Sequence, residues 1–135
     1  MALRSFSRYS VGCAFILAAG AVLAMPPVAG ASNQIALPGN PVTGGRLYQA
    51  CMGCHSLDEN EVGPKHRGVV GRRAGSIPDY VYSPALRTSG IVWTPRNIDR
   101  WLTNPQKLVP GAKMYFSVAK PQDRADIIAY LAQQH

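Results

Sequence analysis

The stretch that decides the fold is Cys51-Met52-Gly53-Cys54-His55. Two cysteines separated by two residues and followed at once by histidine form the C-x-x-C-H motif of covalent c-type haem attachment. Each thiol can form a thioether with one vinyl group of the haem, and the next residue, His55, is then held under the iron as its proximal ligand. These five residues therefore predict one covalent haem c, held by Cys51, Cys54 and His55.

Two other sites use a pair of cysteines at this spacing. A thioredoxin-like redox pair is typical of a β-α-β context, which the surrounding sequence does not offer. A structural zinc site needs two further ligands beyond the pair. Because the third cysteine, Cys13, lies in a segment that we expect to be removed, neither alternative fits well.

The first 31 residues have the three-part pattern of a secretory signal peptide. Arg4 and Arg8 come first with no acidic residue, an apolar run follows over residues 11–25, and the small residues Ala29-Gly30-Ala31 end the segment. The alternative is an uncleaved anchor, but the apolar run falls short of the roughly 20 residues that cross a bilayer. We expect cleavage after Ala31, loss of Cys13 with the leader, and export to the periplasm.

The mature chain is expected to be moderately basic. The whole sequence has 14 Lys and Arg and 7 Asp and Glu, and the leader takes two of the basic residues, which leaves a net charge of +5. A basic surface can face nucleic acid, an anionic membrane or an acidic protein, and export disfavours nucleic acid. An acidic redox protein is therefore the expected partner, although a generally solvated basic surface explains the same composition.

The pattern along the chain predicts one small helical domain. Residues 32–43 are polar and contain two prolines and a glycine, which predicts a flexible lead-in, so the domain is placed at 44–135. Glycines and prolines interrupt residues 61–73, which predicts a loop. No alternation typical of strands runs long enough to build a sheet. The fold class is therefore all-α.

Three helices are predicted. A short one runs over residues 45–52 and ends at the cysteines, because good helix formers place Leu47 and Cys51 on one face. A second follows Thr94 and Pro95 over residues 96–103, with apolar residues at i, i+3 and i+4. The third follows Pro121 over residues 123–133, with an acidic first turn.

The sixth ligand of the iron can be approached by elimination. Of the four methionines, two lie in the leader and Met52 lies inside the attachment motif, which leaves Met114. His66 follows His55 too closely to reach the opposite face of a haem, and His135 is a chain terminus. Met114 lies in a turn rich in proline and glycine that could present its sulfur inward, but a lone methionine is also ordinary core filler.

The mature domain resembles class I cytochrome c, in particular the bacterial cytochrome c2-like and mitochondrial-like branch. The resemblance covers residues 44–131. After the attachment motif, it rests on Gly63-Pro64, on Gly68-Val69-Val70-Gly71-Arg72-Arg73-Ala74-Gly75, on the aromatic residues Tyr80, Tyr82 and Trp93, on Trp101-Leu102-Thr103-Asn104-Pro105, and on Asp126-Ile127-Ile128-Ala129-Tyr130-Leu131.

The resemblance implies a small class I cytochrome c fold, with three main helices and loops wrapped around the haem. It makes Met114 the second axial ligand. It also implies that the Pro64 carbonyl accepts a hydrogen bond from the ring of His55. Arg72, Tyr82 and Trp93 would bind or screen the haem propionates, although packing alone would also explain them. The first and last helices would cross where Gly44 or Gly45 permits close approach to the face of Tyr130.

Four positions depart from the family pattern. His66 stands where an apolar residue is usual. Trp101 replaces a tyrosine whose hydroxyl reaches the methionine sulfur, so its indole is the candidate donor here. Ala112 replaces a threonine, and the first helix is one residue shorter before Cys51.

With both axial positions filled, the expected function is electron transfer rather than catalysis. The first hypothesis is a monomeric, diffusible carrier that exchanges single electrons with an oxidase, reductase or dehydrogenase. The second is an electron-accepting subunit bound to one periplasmic dehydrogenase. The third is a haem peroxidase or gas sensor whose Met114 does not stay bound.

Overall fold

The computed structural model describes residues 38–135, so the predicted signal peptide lies outside the described residues. These residues form five α-helices and one 3-10 turn, and they contain a single isolated antiparallel bridge, between Arg73 and Val92, in place of a sheet. The helices are α1 Pro41–Leu47, α2 Pro84–Thr88, α3 Pro95–Thr103, α4 Pro105–Leu108 and α5 Pro121–Leu131, and the 3-10 turn Tyr48–Cys51 continues α1. The predicted all-α class is confirmed.

Each of the five α-helices in the described residues begins with proline, whose fixed φ and missing N–H suit the first helical position. In four of the five, the residue just before the proline is an Asn, Ser or Thr whose side chain accepts a hydrogen bond from a backbone N–H of the first turn. The capping residues are Asn40, Ser83, Thr94 and Asn104. Much of the proline content therefore starts helices.

The predicted helices are present, with altered ends. The helix after Thr94 runs over Pro95–Thr103, and the last helix runs over Pro121–Leu131. Residues 61–73 contain no helix, as predicted. The first helix starts earlier than expected, at Pro41, and then tightens into the 3-10 turn.

Packing against α5 begins before Gly44, within the predicted lead-in over residues 32–43, of which residues 32–37 lie outside the described residues. The Gln122 side chain donates to the Pro38 carbonyl at 3.0 Å, and the backbone N–H of Asn40 donates to the Asp126 carboxylate at 2.8 Å. A Cβ at Gly39 would collide with the backbone of α5. Proline and glycine at this point therefore serve packing and helix initiation.

Helices α1 and α5 cross in close contact. Gly44 is buried there, and a Cβ at this position would collide with the carbonyl oxygen of Asp126. A Cβ on its neighbour Gly45 would instead meet the ring of Tyr130 at 3.2 Å. The predicted close approach therefore occurs, and Gly44 is the residue that permits it.

The core lies beneath this crossing. Ile98, Trp101 and Leu102 point inward from α3, and Ile127 and Leu131 point inward from α5. An ion pair between Arg124 and Asp99, at 2.8 Å, also joins the two helices. None of the helices in residues 38–135 has the length and apolar character needed to span a bilayer.

Replacing Gly44 with alanine should lower the free energy of unfolding of the haem-loaded protein by about 2–3 kcal/mol, since α1 and α5 must move apart to accommodate the methyl group. Denaturant unfolding followed by circular dichroism measures the change. The control is Gly45→Ala, whose methyl group meets only a side chain and which gains up to about 1 kcal/mol of helix propensity. Equal losses in the two variants would contradict a special role for Gly44.

Candidate functional site

A cavity of about 310 Å³ opens between the attachment motif, α3, α5 and the loop that carries Met114. Its walls are mostly apolar. All nine residues predicted to bind a cofactor line this one cavity: Cys51, Cys54, His55, Pro64, Arg72, Tyr82, Trp93, Trp101 and Met114.

The ring of His55 is fixed by hydrogen bonding and close packing. Its Nδ1 lies 2.8 Å from the Pro64 carbonyl oxygen, which only accepts, so Nδ1 carries the proton and donates. The other ring nitrogen, Nε2, then keeps its lone pair. Burial lowers the pKa of His55, although the bond to Pro64 and the charge of Glu61 oppose the shift. The neutral imidazole that results is the form that binds a metal.

The loop that carries Pro64 is tied to the segment after the cysteines. Three backbone hydrogen bonds join the two stretches, from Gly63 to Cys54 at 2.7 Å, from His66 to Ser56 at 3.0 Å and from Arg67 to Leu57 at 2.8 Å. A Cβ at Gly63 would collide with the His55 ring, so this position requires glycine. The ring and its hydrogen-bond acceptor are therefore positioned by one local unit.

Cys51 and Cys54 are both free thiols in the cavity wall. The 3-10 turn ends at Cys51, and a backbone bond from Cys54 to its carbonyl, at 3.1 Å, continues the turn. Burial raises the pKa of Cys51. The motif is thus a compact turn whose two cysteines and His55 line the same cavity.

Met114 is held by α3 and α4. The indole N–H of Trp101 donates to the Met114 sulfur at 3.0 Å, so the tryptophan supplies the donor that the family pattern assigns to a tyrosine. The Gln106 amide donates to the carbonyls of Ala112 at 2.8 Å and Met114 at 2.9 Å, and its oxygen accepts from the Gly111 N–H at 3.3 Å. The Gln106 side chain therefore holds the loop that carries Met114 through three hydrogen bonds.

One wall of the cavity is polar and is formed by Arg72, Tyr82 and Trp93. Arg72 donates to the carbonyls of Arg67 at 2.9 Å and Lys65 at 2.7 Å, which uses two of its five N–H groups. Burial lowers the pKa of Arg72, and burial raises the pKa of Tyr82 more than Arg72 lowers it. Trp93 packs edge-to-face on Trp101, with ring centroids 5.2 Å apart. This wall offers hydrogen-bond donors and a cation.

His66 lies on the same side of the cavity as His55, as its short separation in sequence implied. The two rings are stacked, with centroids 4.1 Å apart and planes 20° from parallel. Nδ1 of His66 lies 3.0 Å from the hydroxyl of Tyr48. Burial, together with His55 and Arg72, lowers the pKa of His66 to about 3, so the ring is neutral.

The family model described as cytochrome c matches residues 42–135 of this sequence. The chain belongs to the cytochrome c family. It is 45% identical to cytochrome c2 of Rhodomicrobium vannielii over 72% of this chain and 81% of the relative, and 51% identical to cytochrome c2 of Rhodopila globiformis over 70% and 92%. The solved structure of cytochrome cH from Methylobacterium extorquens superposes with a TM-score of 0.68 at 40% identity, covering 70% of this chain and 98% of that one.

This cytochrome is a haem c electron carrier, and its cavity fits that cofactor. Cys51 and Cys54 are the C-x-x-C-H pair to which haem c is covalently attached. Among the described residues that line the cavity, Arg72 and Lys113 are cationic and none is acidic. A lining that is apolar, free of carboxylates and furnished with one guanidinium suits a large apolar ring that carries two carboxylates.

Sequence reasoning missed two residues that shape this cytochrome's site. Gln106 holds the methionine loop, and Tyr48, only 1% exposed, reaches His66. The Asn104-Pro105 pair, a cap followed by a proline, could have indicated the short helix that carries Gln106. The predicted α-helix up to Cys51 puts Leu47 on the same face as Cys51. The observed 3-10 turn buries Tyr48 instead.

Proposed function

We propose that His55 and Met114 are the two axial ligands of the haem, and that the protein is a diffusible carrier of single electrons. The observation that carries this proposal is the shared cavity, which is lined by His55, Met114 and the two cysteines. When bound, the haem iron accepts and releases one electron at a time.

Each side chain has a task in this proposal. The Pro64 carbonyl orients the His55 ring and strengthens electron donation from its free nitrogen. The Trp101 N–H withdraws electron density from the Met114 sulfur and holds it in place. A thioether is a soft ligand, and this arrangement favours the reduced iron, so the reduction potential should be high and positive. With both axial positions taken, no substrate can bind at the iron, so the protein is not an enzyme.

The polar wall is proposed to neutralise the haem propionates. Three N–H groups of Arg72 remain after its two backbone bonds. Tyr82 and Trp93 add a hydroxyl and an indole N–H to the same wall. Donors are needed here because a carboxylate buried in an apolar cavity without them is costly.

The mouth of the cavity is the proposed docking face. Val62, Tyr115 and Phe116 line the cavity and are exposed, and Lys113 lies beside them, donating to the Val81 carbonyl at 3.1 Å. An apolar patch next to a lysine fits brief contact with an acidic redox protein such as an oxidase, reductase or dehydrogenase. We place the protein in the periplasm, because the N-terminal segment has the pattern of a cleaved leader. As a diffusible carrier, it is proposed to act as a monomer.

Met114→Ala should abolish the weak near-infrared band that arises from sulfur-to-iron charge transfer in the ferric protein, and it should lower the reduction potential, because the soft ligand is lost. The absorption spectrum and a potentiometric titration measure both effects. Met52→Ala removes the other methionine of the described chain and is the control, which should keep the band. A wild-type protein that binds haem covalently but lacks the band would refute Met114 ligation.

Trp101→Phe should lower the reduction potential by about 40 mV, the one-electron equivalent of the roughly 1 kcal/mol that one hydrogen bond contributes. The sulfur donates more strongly to iron once the indole N–H is gone, which favours the oxidised state. Trp101→Tyr restores a hydroxyl donor and should recover part of the potential. A potential that is unchanged in Trp101→Phe would show that the N–H does not tune the ligand.

Lys113→Gln should slow reduction of the ferric protein by ferrocyanide, an anionic reagent, more than Lys120→Gln does. Both substitutions remove one exposed positive charge, but only Lys113 lines the cavity. Stopped-flow rates should converge in about 1 M salt, where the screening length falls to about 3 Å. Equal slowing by the two variants at low salt would indicate that only net charge matters.

A further inference from the structure

We propose that Tyr48 and His66 form a positioning pair that fixes the ring plane of His55 from within the protein. The inference rests on the proposed function, in which His55 is an axial ligand. It assigns a role to two residues that do not bind the haem through thioether or iron bonds themselves.

The contact between the two imidazoles supplies the first step. The hydrogen bond to Pro64 restrains one atom of the His55 ring, and Gly63 lies close beside the ring, so a flat neighbour adds a restraint on the tilt of the ring plane. The His66 ring stacks against it at 4.1 Å, with planes 20° apart, and this contact opposes the tilt. A flexible aliphatic side chain of similar size would fill the space without presenting a flat surface.

His66 can act in this way only if it is held in turn. Its Nδ1 is within 3.0 Å of the Tyr48 hydroxyl, and its backbone N–H donates to the Ser56 carbonyl at 3.0 Å. Tyr48 is only 1% exposed and packs on Tyr130 of α5, with ring centroids 5.2 Å apart. A series of contacts therefore runs from Tyr130 of α5 through Tyr48 and His66 to the ring of His55 and holds that ring in place.

The hydrogen bond between Tyr48 and His66 indicates that the pair does more than fill space. The Tyr48 hydroxyl and the His66 ring nitrogen make this partly buried bond to each other at the wall of the cavity. Two apolar side chains could occupy the same volume without a bond of fixed direction. A hydrogen bond of defined length and angle specifies a ring orientation, and the orientation of ligating imidazoles is what their neighbours control in metal sites.

The test uses the full haem-loaded protein and three variants. Tyr48→Phe removes only the hydroxyl, His66→Leu removes the stacked ring, and the control Tyr130→Phe removes the neighbouring hydroxyl, which makes no hydrogen bond within residues 38–135. The readout is the set of haem-methyl hyperfine shifts in the proton NMR spectrum of the ferric protein, which depend on the plane of the axial imidazole. Thermal unfolding is recorded for each variant.

We expect Tyr48→Phe and His66→Leu to shift the haem methyls in the same direction, with the larger change in His66→Leu, and Tyr130→Phe to match the wild type. The double variant should equal His66→Leu alone, because the hydroxyl acts through the ring. Lower thermal stability without shifts overturns the inference, and so does a response confined to His66→Leu. If His66→Leu does not fold, the comparison of Tyr48→Phe with Tyr130→Phe decides alone. A wild type without His55 ligation would instead overturn the proposed function.

Discussion

The contact of α1 with α5 at Gly44 is the constraint on which the rest of the structure depends. Because Gly44 has no side chain, the backbones of the two helices come into close contact there. This places Tyr48 against Tyr130 and brings the 3-10 turn with Cys51 to the edge of the cavity. The attachment motif is therefore positioned by a helix crossing whose first helix, α1, ends only a few residues before Cys51.

Local sequence signals predicted much of this fold because the relevant interactions are local. The cap at Thr94, the proline that follows it and the apolar spacing in α3 all act within one or two turns of helix. The short helices α2 and α4 were not predicted, since four or five residues show no periodicity. Their Ser83-Pro84 and Asn104-Pro105 starts carry the same capping signal as α3 and could have revealed them.

The candidate site was predictable in its residues but not in its geometry. The attachment motif alone predicts covalent haem binding, and the nine residues assigned from motif and resemblance all line one cavity. The stacking of His66 on His55 could not be predicted, because eleven residues of loop fix no distance. The bond from Trp101 to Met114 likewise depends on how α3 packs against the methionine loop, which is a tertiary contact.

The start of the domain shows why composition can mislead. Proline and glycine at 38–41 predict a flexible lead-in, yet they lie against α5 and begin α1. The same residues break regular structure in one setting and permit close packing in another, and the difference lies in a partner distant in sequence. Here the partner is the Asp126 carboxylate, which accepts from Asn40 across 86 positions and is itself buried. A carboxylate buried at a helix crossing is tolerated here because its Oδ1 accepts both from the Asn40 N–H, at 2.8 Å, and from the Gln122 amide, at 2.9 Å. The crossing that positions the site therefore depends on a polar interaction as well as on the absence of a side chain at Gly44.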